Sequence, residues 1–150
     1  MLPETPEDQE EEGLPPMLFK FSDLAPLLRN VGLRRLQQLV KTIRESLLQI
    51  LKADGDGLVL GMGRQEAHGP QVKRAVTQVK ALLQSQHKTL AGVLPDSEYR
   101  RVMAKWLQTV SDELLRQILA VDDYFSQDTE SLVPILSQLL QDCPAFLSVG

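Results

Sequence analysis

Asp54-Gly55-Asp56-Gly57 opens like a calcium-binding loop. An EF-hand continues with a third oxygen ligand and a glycine and closes on a bidentate Glu at the twelfth position, because a hard cation needs a full shell of oxygens. Leu58, Val59 and Gln65 stand at those places, so the tetrapeptide reads as the stop of a helix. Leu58-Val59-Leu60-Gly61-Met62-Gly63 resembles the start of a dinucleotide-binding turn. The third glycine would fall at Glu66, and no strand-helix-strand unit surrounds it. There is no Walker lysine pattern and no nucleophile elbow.

The remaining reactive residues are scattered. His68 and His87 lie 19 residues apart with only Cys143 to join them, which is not the spacing of a zinc site. They read as a loop histidine and a helix-surface histidine. Cys143 reads as a small apolar residue at a helix end, since nothing near it in sequence supplies the base or positive charge that a thiolate needs. Asp122-Asp123 could pair as carboxylates, but neighbours on a turn point different ways, and Asp is ordinary turn chemistry. Asp112 and Glu113 are expected on the wet face of their helix, and Trp106 in the core. Arg34-Arg35 and Arg100-Arg101 with Lys105 form basic faces without interleaved aromatics, which read as solvated helix surface. No catalytic, cofactor-binding or metal-ligating residue is assigned, no cofactor is expected, and the partner-binding residues stay unassigned. The chain reads as not an enzyme.

The elements around these residues are helical. The chain has 150 residues, 43% hydrophobic and only 5% aromatic. A core built mostly from Leu favours helix packing over a sheet. After Phe19 and Phe21, Ser22 can cap a short helix that tolerates Pro26 in its first turn and ends at Gly32. Phe19, Phe21, Leu24, Leu27 and Leu28 make that helix apolar enough to lie on a core. A long helix over 33–53 follows, with Leu33, Leu36, Leu39, Val40, Ile43, Leu47, Ile50 and Leu51 on one stripe. A flexible loop over 54–69 holds five of the nine glycines. Pro70 suits the first turn of a second long helix, 70–91, which buries Val72, Val76, Val79, Leu83 and Leu90. Gly92 to Pro95 break the chain. Asp96 or Ser97 caps a third helix over 97–121, whose seam of Tyr99, Met103, Trp106, Val110, Leu114, Ile118 and Val121 steps by three or four, the spacing of antiparallel helices crossing at about 20°. Asp122 to Asp128 turn the chain. A last helix starts at 129 or 130 with a first turn distorted by Pro134, runs to about Asp142, and closes at Cys143-Pro144.

The expected fold is all-α, an elongated antiparallel bundle over 17–146. Residues 147–150 form a tail. Residues 1–16 carry six acids and no base, and this acidic tail cannot bury enough apolar surface to order. The formal charge of −4 therefore comes from the tail, and the remainder is close to neutral, too weak for a nucleic-acid footprint. One cysteine excludes an intrachain disulfide and fits a reducing compartment. No apolar run is long enough to span a membrane, and the acidic N-terminus excludes a secretory signal. The chain reads as cytoplasmic.

Residues 93–146 resemble the C-terminal half of the zeste-white-ten kinetochore and vesicle-tethering family. The matching positions are Val93-Leu94-Pro95, Tyr99, Met103, Leu107, Thr109, Glu113, Ile118, Ala120, Asp123, Asp128, Leu132 and Pro144. Upstream, FSDLAPLLRNVG, the Leu-rich helix and PQVKRAVTQVKALL follow the family's order, so the likeness covers about 17–146. The resemblance implies a segment of the all-helical rod of a tethering complex. It implies protein partners of the Rod and Zwilch type at the kinetochore, in the spindle checkpoint of mitosis. It also implies an endoplasmic-reticulum complex that tethers Golgi-derived vesicles near SNARE proteins, with membrane association only through partners. The family's N-terminal coiled coil and last helical segment have no counterpart here, so the resemblance implies a piece, an isoform or a degenerate copy. The alternative is a free-standing bundle that binds a partner's amphipathic helix.

Overall fold

The computed structural model describes residues 20–52, 69–120 and 126–148. Four helices make up nearly all of them, and no strand occurs among the described residues: α1 Phe21–Leu51, α2 Gly69–Leu90, α3 Asp96–Leu119 and α4 Ser126–Leu147. The fold is all-α. The 1–16 tail, the 54–68 stretch of the glycine-rich loop and the Asp122-Asp123 turn lie outside the described residues.

Backbone contacts divide the chain into two units, Met1–Gln37 and Gln38–Gly150, with the boundary inside α1. In the first unit, the Lys20 carbonyl accepts from the amides of Asp23 (2.8 Å) and Leu24 (3.3 Å) and starts the helix. The expected break at Gly32 does not occur; one helix of 31 residues replaces the expected two. A glycine inside a helix costs about 1 kcal/mol relative to Ala, which weakens a helix without ending it. Phe21, Leu24, Leu27, Leu28, Val31 and Leu33 are all exposed, Phe21 at 81%. The expectation that Phe21, Leu24, Leu27, Leu28 and Leu33 lie on a core is corrected, and Phe19 lies outside the described residues. Periodicity shows that a helix has an apolar face, not that this chain supplies its cover.

The second unit holds the core. α1 contributes Ile43, Leu47 and Leu51. α2 contributes Val72, Ala75, Val76, Val79, Leu83 and Leu90, which includes all five residues expected to be buried there. α3 buries Tyr99, Met103, Trp106, Val110 and Leu114 of its expected seam, and Val102 besides; Ile118 is only half-buried, and Val121 lies outside the described residues. α4 packs on α2 and α3 and buries Leu132, Leu139 and Phe146, one residue per heptad.

Two helix ends differ from expectation. Neither Asp96 nor Ser97 caps α3: Pro95 holds the N-cap position with extended backbone (φ −55°, ψ 145°) and no side-chain cap. Its carbonyl accepts the Tyr99 amide at 2.9 Å, and Asp96 and Glu98 place negative charge against the helix N-terminus. α4 begins at Ser126 and runs through both Pro134 and Pro144 to Leu147. Each proline removes one helical hydrogen bond. At the C-terminal end the burial of Phe146 and the bond its carbonyl accepts from Tyr99 hold the extra turn in place.

Candidate functional site

α3 is the element to which the others are tied, and the ties are polar. Trp106 is fully buried, and its indole N–H donates to the Val40 carbonyl of α1 at 3.1 Å. A buried indole needs such a partner, and this one fixes the mid-point of α3 against α1.

Three turns further along, Gln117 is also fully buried. Its amide nitrogen donates to the carbonyl of Leu51, the last residue of α1, at 2.9 Å, and to Glu113 Oε1 at 2.8 Å. The last carbonyls of a helix lack intrahelical donors, so a side chain of α3 caps the C-terminus of α1. Both contacts are acceptors, which fixes the amide orientation and leaves Gln117 Oε1 without a partner. Arg116 grips Glu113 with two bonds, Nε to Oε2 at 3.0 Å and Nη2 to Oε1 at 2.6 Å. Glu113 is only 7% exposed, so the expected wet-face position is corrected. Burial is tolerable because the fork of Arg116 and the amide of Gln117 satisfy the carboxylate. The Arg116 hydrogen bonds, with help from Gln117 and the positive charge of Lys52 and against the desolvation cost, lower its pKa to about 2.

At the other end of α3, the Tyr99 hydroxyl donates to the Phe146 carbonyl at 2.7 Å and meets His87 Nδ1. A hydroxyl has one proton to give. With that proton on the Phe146 carbonyl, His87 must donate from Nδ1, which fixes the tautomer if the ring is neutral. The chain His87–Tyr99–Phe146 thus joins α2, α3 and the end of α4. Burial pushes the Tyr99 hydroxyl's pKa up, so it remains a hydroxyl. Lys80 of α2 and Asp142 of α4 form an ion pair, and Lys80 holds the Asp142 carboxyl below its usual value.

Trp106, Gln117, Tyr99 and Lys80 each hold one helix to another, Glu113 and Arg116 support Gln117 within α3, and none of these forms a nucleophile–base pair. Cys143 is a free, half-buried thiol inside α4 rather than at its end; burial and the charge of Asp142 push its pKa up, away from thiolate chemistry. His87 is spent on Tyr99 and is not a plain surface residue. His68, the Asp54–Gly63 motifs and Asp122-Asp123 lie outside the described residues. Among the described residues no group of His, Cys, Asp and Glu is arranged to hold a metal. Asp112 is exposed as expected and accepts from Gln108. Arg34, Arg35, Arg100, Arg101 and Lys105 are exposed, with Arg101 paired to Glu98.

Sequence reasoning missed Gln117, the Tyr99 chain and the Lys80–Asp142 pair. Gln117 was within reach: counting three from Leu114 puts it on the α3 seam, and Glu113, Arg116 and Gln117 stand three and four apart, the spacing of helical side-chain pairs. The other two join residues distant in sequence.

Open apolar surface is the remaining feature. The first third of α1 carries one such face, and α4 carries another at Val133, Leu140 and Leu147, beside its buried heptad. No described helix is long and apolar enough to cross a membrane.

A bundle closed by side-chain clamps, with apolar helix faces left open, defines an all-helical domain. Residues 74–149 match the ZW10 C-terminal helical domain. The chain belongs to that family; the match covers α3, α4 and most of α2, and α1 lies outside it. No curated protein and no solved structure matches the chain significantly. Family membership makes this a helical domain of the kinetochore and tethering family, which is a scaffold kind.

Proposed function

We propose that the chain acts as a non-catalytic helical scaffold that bridges protein subunits, either in a kinetochore complex of the Rod and Zwilch type or in an endoplasmic-reticulum complex that receives Golgi-derived vesicles beside SNARE proteins. The observation that carries this reading is the family match over α2 to α4, and the open faces of α1 and α4 suit it. In this reading the folded segment is 17–146, preceded by an acidic tail over 1–16 and followed by a short tail over 147–150. The clamped α3 keeps the segment rigid, and partner subunits bring it to membranes. The partner-contact residues are to be sought on the open faces and not among the clamps.

The same open faces favour a second reading, a free-standing bundle that takes up one partner's amphipathic helix. Imaging of a fluorescently tagged chain through the cell cycle separates the two. A scaffold of either complex concentrates at mitotic kinetochores or around the interphase endoplasmic reticulum. A folded chain that stays diffuse at both stages overturns the scaffold reading.

A further inference from the structure

We infer that the acidic segment 1–16 doubles back along the start of α1 and covers its open face. Phe21, Leu24, Leu28 and Val31 follow one another by three or four residues on one side of α1 and stand exposed. Lys20 lies four residues before Leu24, and Arg34 and Arg35 lie three and four after Val31, so this stripe carries positive charge at both ends. Arg29 follows Leu28 directly and stands at the stripe's edge. All four cations are exposed, and none forms an ion pair with another described residue. Asp23 is the one acid within 20–37.

Charge selects the occupant. Segment 1–16 carries Glu4, Glu7, Asp8, Glu10, Glu11 and Glu12 and no base, whereas the α1 face of a second copy would set cations against cations. The spacing fits as well. Pro3, Pro6, Pro15 and Pro16 disfavour helix and favour an extended chain that rises about 3.1 Å per residue. Glu11 to Glu4 then spans about 22 Å, and Lys20 to Arg34 along the helix spans about 21 Å. Glu7 falls about 12 Å along the first and Arg29 about 14 Å along the second. With Glu11 beside Lys20, Glu7 meets Arg29, Glu4 meets Arg34, and Pro6 lies between them over the apolar stripe. Gly13, Pro15 and Pro16 supply turn residues where the chain must reverse. The short tether holds the acids near the face at an effective concentration on the order of millimolar, an advantage that no separate molecule has. Charge rather than a packed core holds the contact, so salt should weaken it. Both surfaces belong to the unit Met1–Gln37, and the contact stands or falls separately from the scaffold role.

The test is amide NMR on the full chain, in two parts. In the first, Glu7→Gln, Glu10→Gln, Glu11→Gln and Glu12→Gln are combined and Cys143 is left alone. The resonances of Arg29, Arg34 and Arg35 should shift, while those of α2 to α4 stay in place and show that folding is kept. In the second, a spin label is carried at Thr5→Cys in a Cys143→Ala chain. Thr5 is neutral, so the label removes none of the acids. Line broadening should peak at Arg34 and Arg35, and the peak should be lost with the four Gln substitutions or in about 1 M salt, which screens charge beyond about 3 Å. Broadening that is greatest at Phe21 and declines steadily towards Arg35 describes an undocked segment and overturns the inference. So does a peak on Arg100 and Arg101 of α3, or one that arises between separate labelled and isotope-enriched copies. Resonances of Arg29, Arg34 and Arg35 that do not move in the first part overturn it too.

Discussion

The Tyr99 hydroxyl sits between an imidazole and a carbonyl, and both neighbours depend on it. Tyr99→Phe keeps the ring in the core and removes only that oxygen. The Phe146 carbonyl then loses its donor, and the cost should be about 1–2 kcal/mol in urea unfolding; a change within error would mean that the hydroxyl does not tie α4 to α3. Glu113 gives a sharper reading because it titrates. Its folded pKa, about 2, lies below the ordinary 4.5, so its stabilisation is complete above about 4.5 and fades as the pH falls towards 2. The exposed side of Arg116 weakens the pair, and the whole effect should be on the order of 2 kcal/mol. Urea unfolding of the native chain and of Glu113→Gln should show a gap that is constant above about pH 5 and narrows as the pH falls from there towards about 2. A gap independent of pH would contradict the assignment. Neither site was legible as a site in the sequence. Glu113 was expected in water because charged residues usually are, and what buries it is a partner set of Arg116 and Gln117 that only the folded geometry of α3 brings to bear.

Helix identities were legible from apolar spacing, helix ends less so. The α2 seam and the α3 seam up to Leu114 read correctly because Val, Leu, Met and aromatic residues recur at three and four; beyond Leu114 the buried residue is Gln117 and not Ile118. α1 and α4 were misjudged where a single residue was given too much weight. Gly32 and Pro144 look like stops locally, but the helix tolerates the penalty of about 1 kcal/mol at Gly32, and the burial of Phe146 holds the turn beyond Pro144. α1 offers a direct check. No atom lies within 4 Å of the place a Gly32 side-chain carbon would occupy, so Gly32→Ala should strengthen the helix by about 0.5–1 kcal/mol. Amide exchange around position 32 should slow; faster exchange would restore the break that the sequence suggested. Trp106 tests the same level of organisation on α3. Fully buried and bonded to the α1 backbone, it should cost about 3–5 kcal/mol when replaced by Ala, and a loss under about 1 kcal/mol would remove it from the core.

For the molecule as a whole, the buried polar side chains among the described residues are occupied in contacts that hold the bundle together, while apolar faces of α1 and α4 stay exposed. That division is what a scaffold needs: a fixed core and unclaimed faces. The family resemblance was legible at 93–146 because the Val93-Leu94-Pro95 stop, the α3 seam and the acidic turn keep a fixed spacing. Which faces stay open was not legible, since an apolar stripe looks the same in sequence whether or not the chain covers it. The central claim is that this helical domain works by holding other proteins. Quantitative affinity purification of the tagged chain from dividing and interphase cells tests it most directly. The expected result is enrichment of kinetochore or vesicle-tethering subunits. A well-folded chain that enriches neither set at either stage would contradict it.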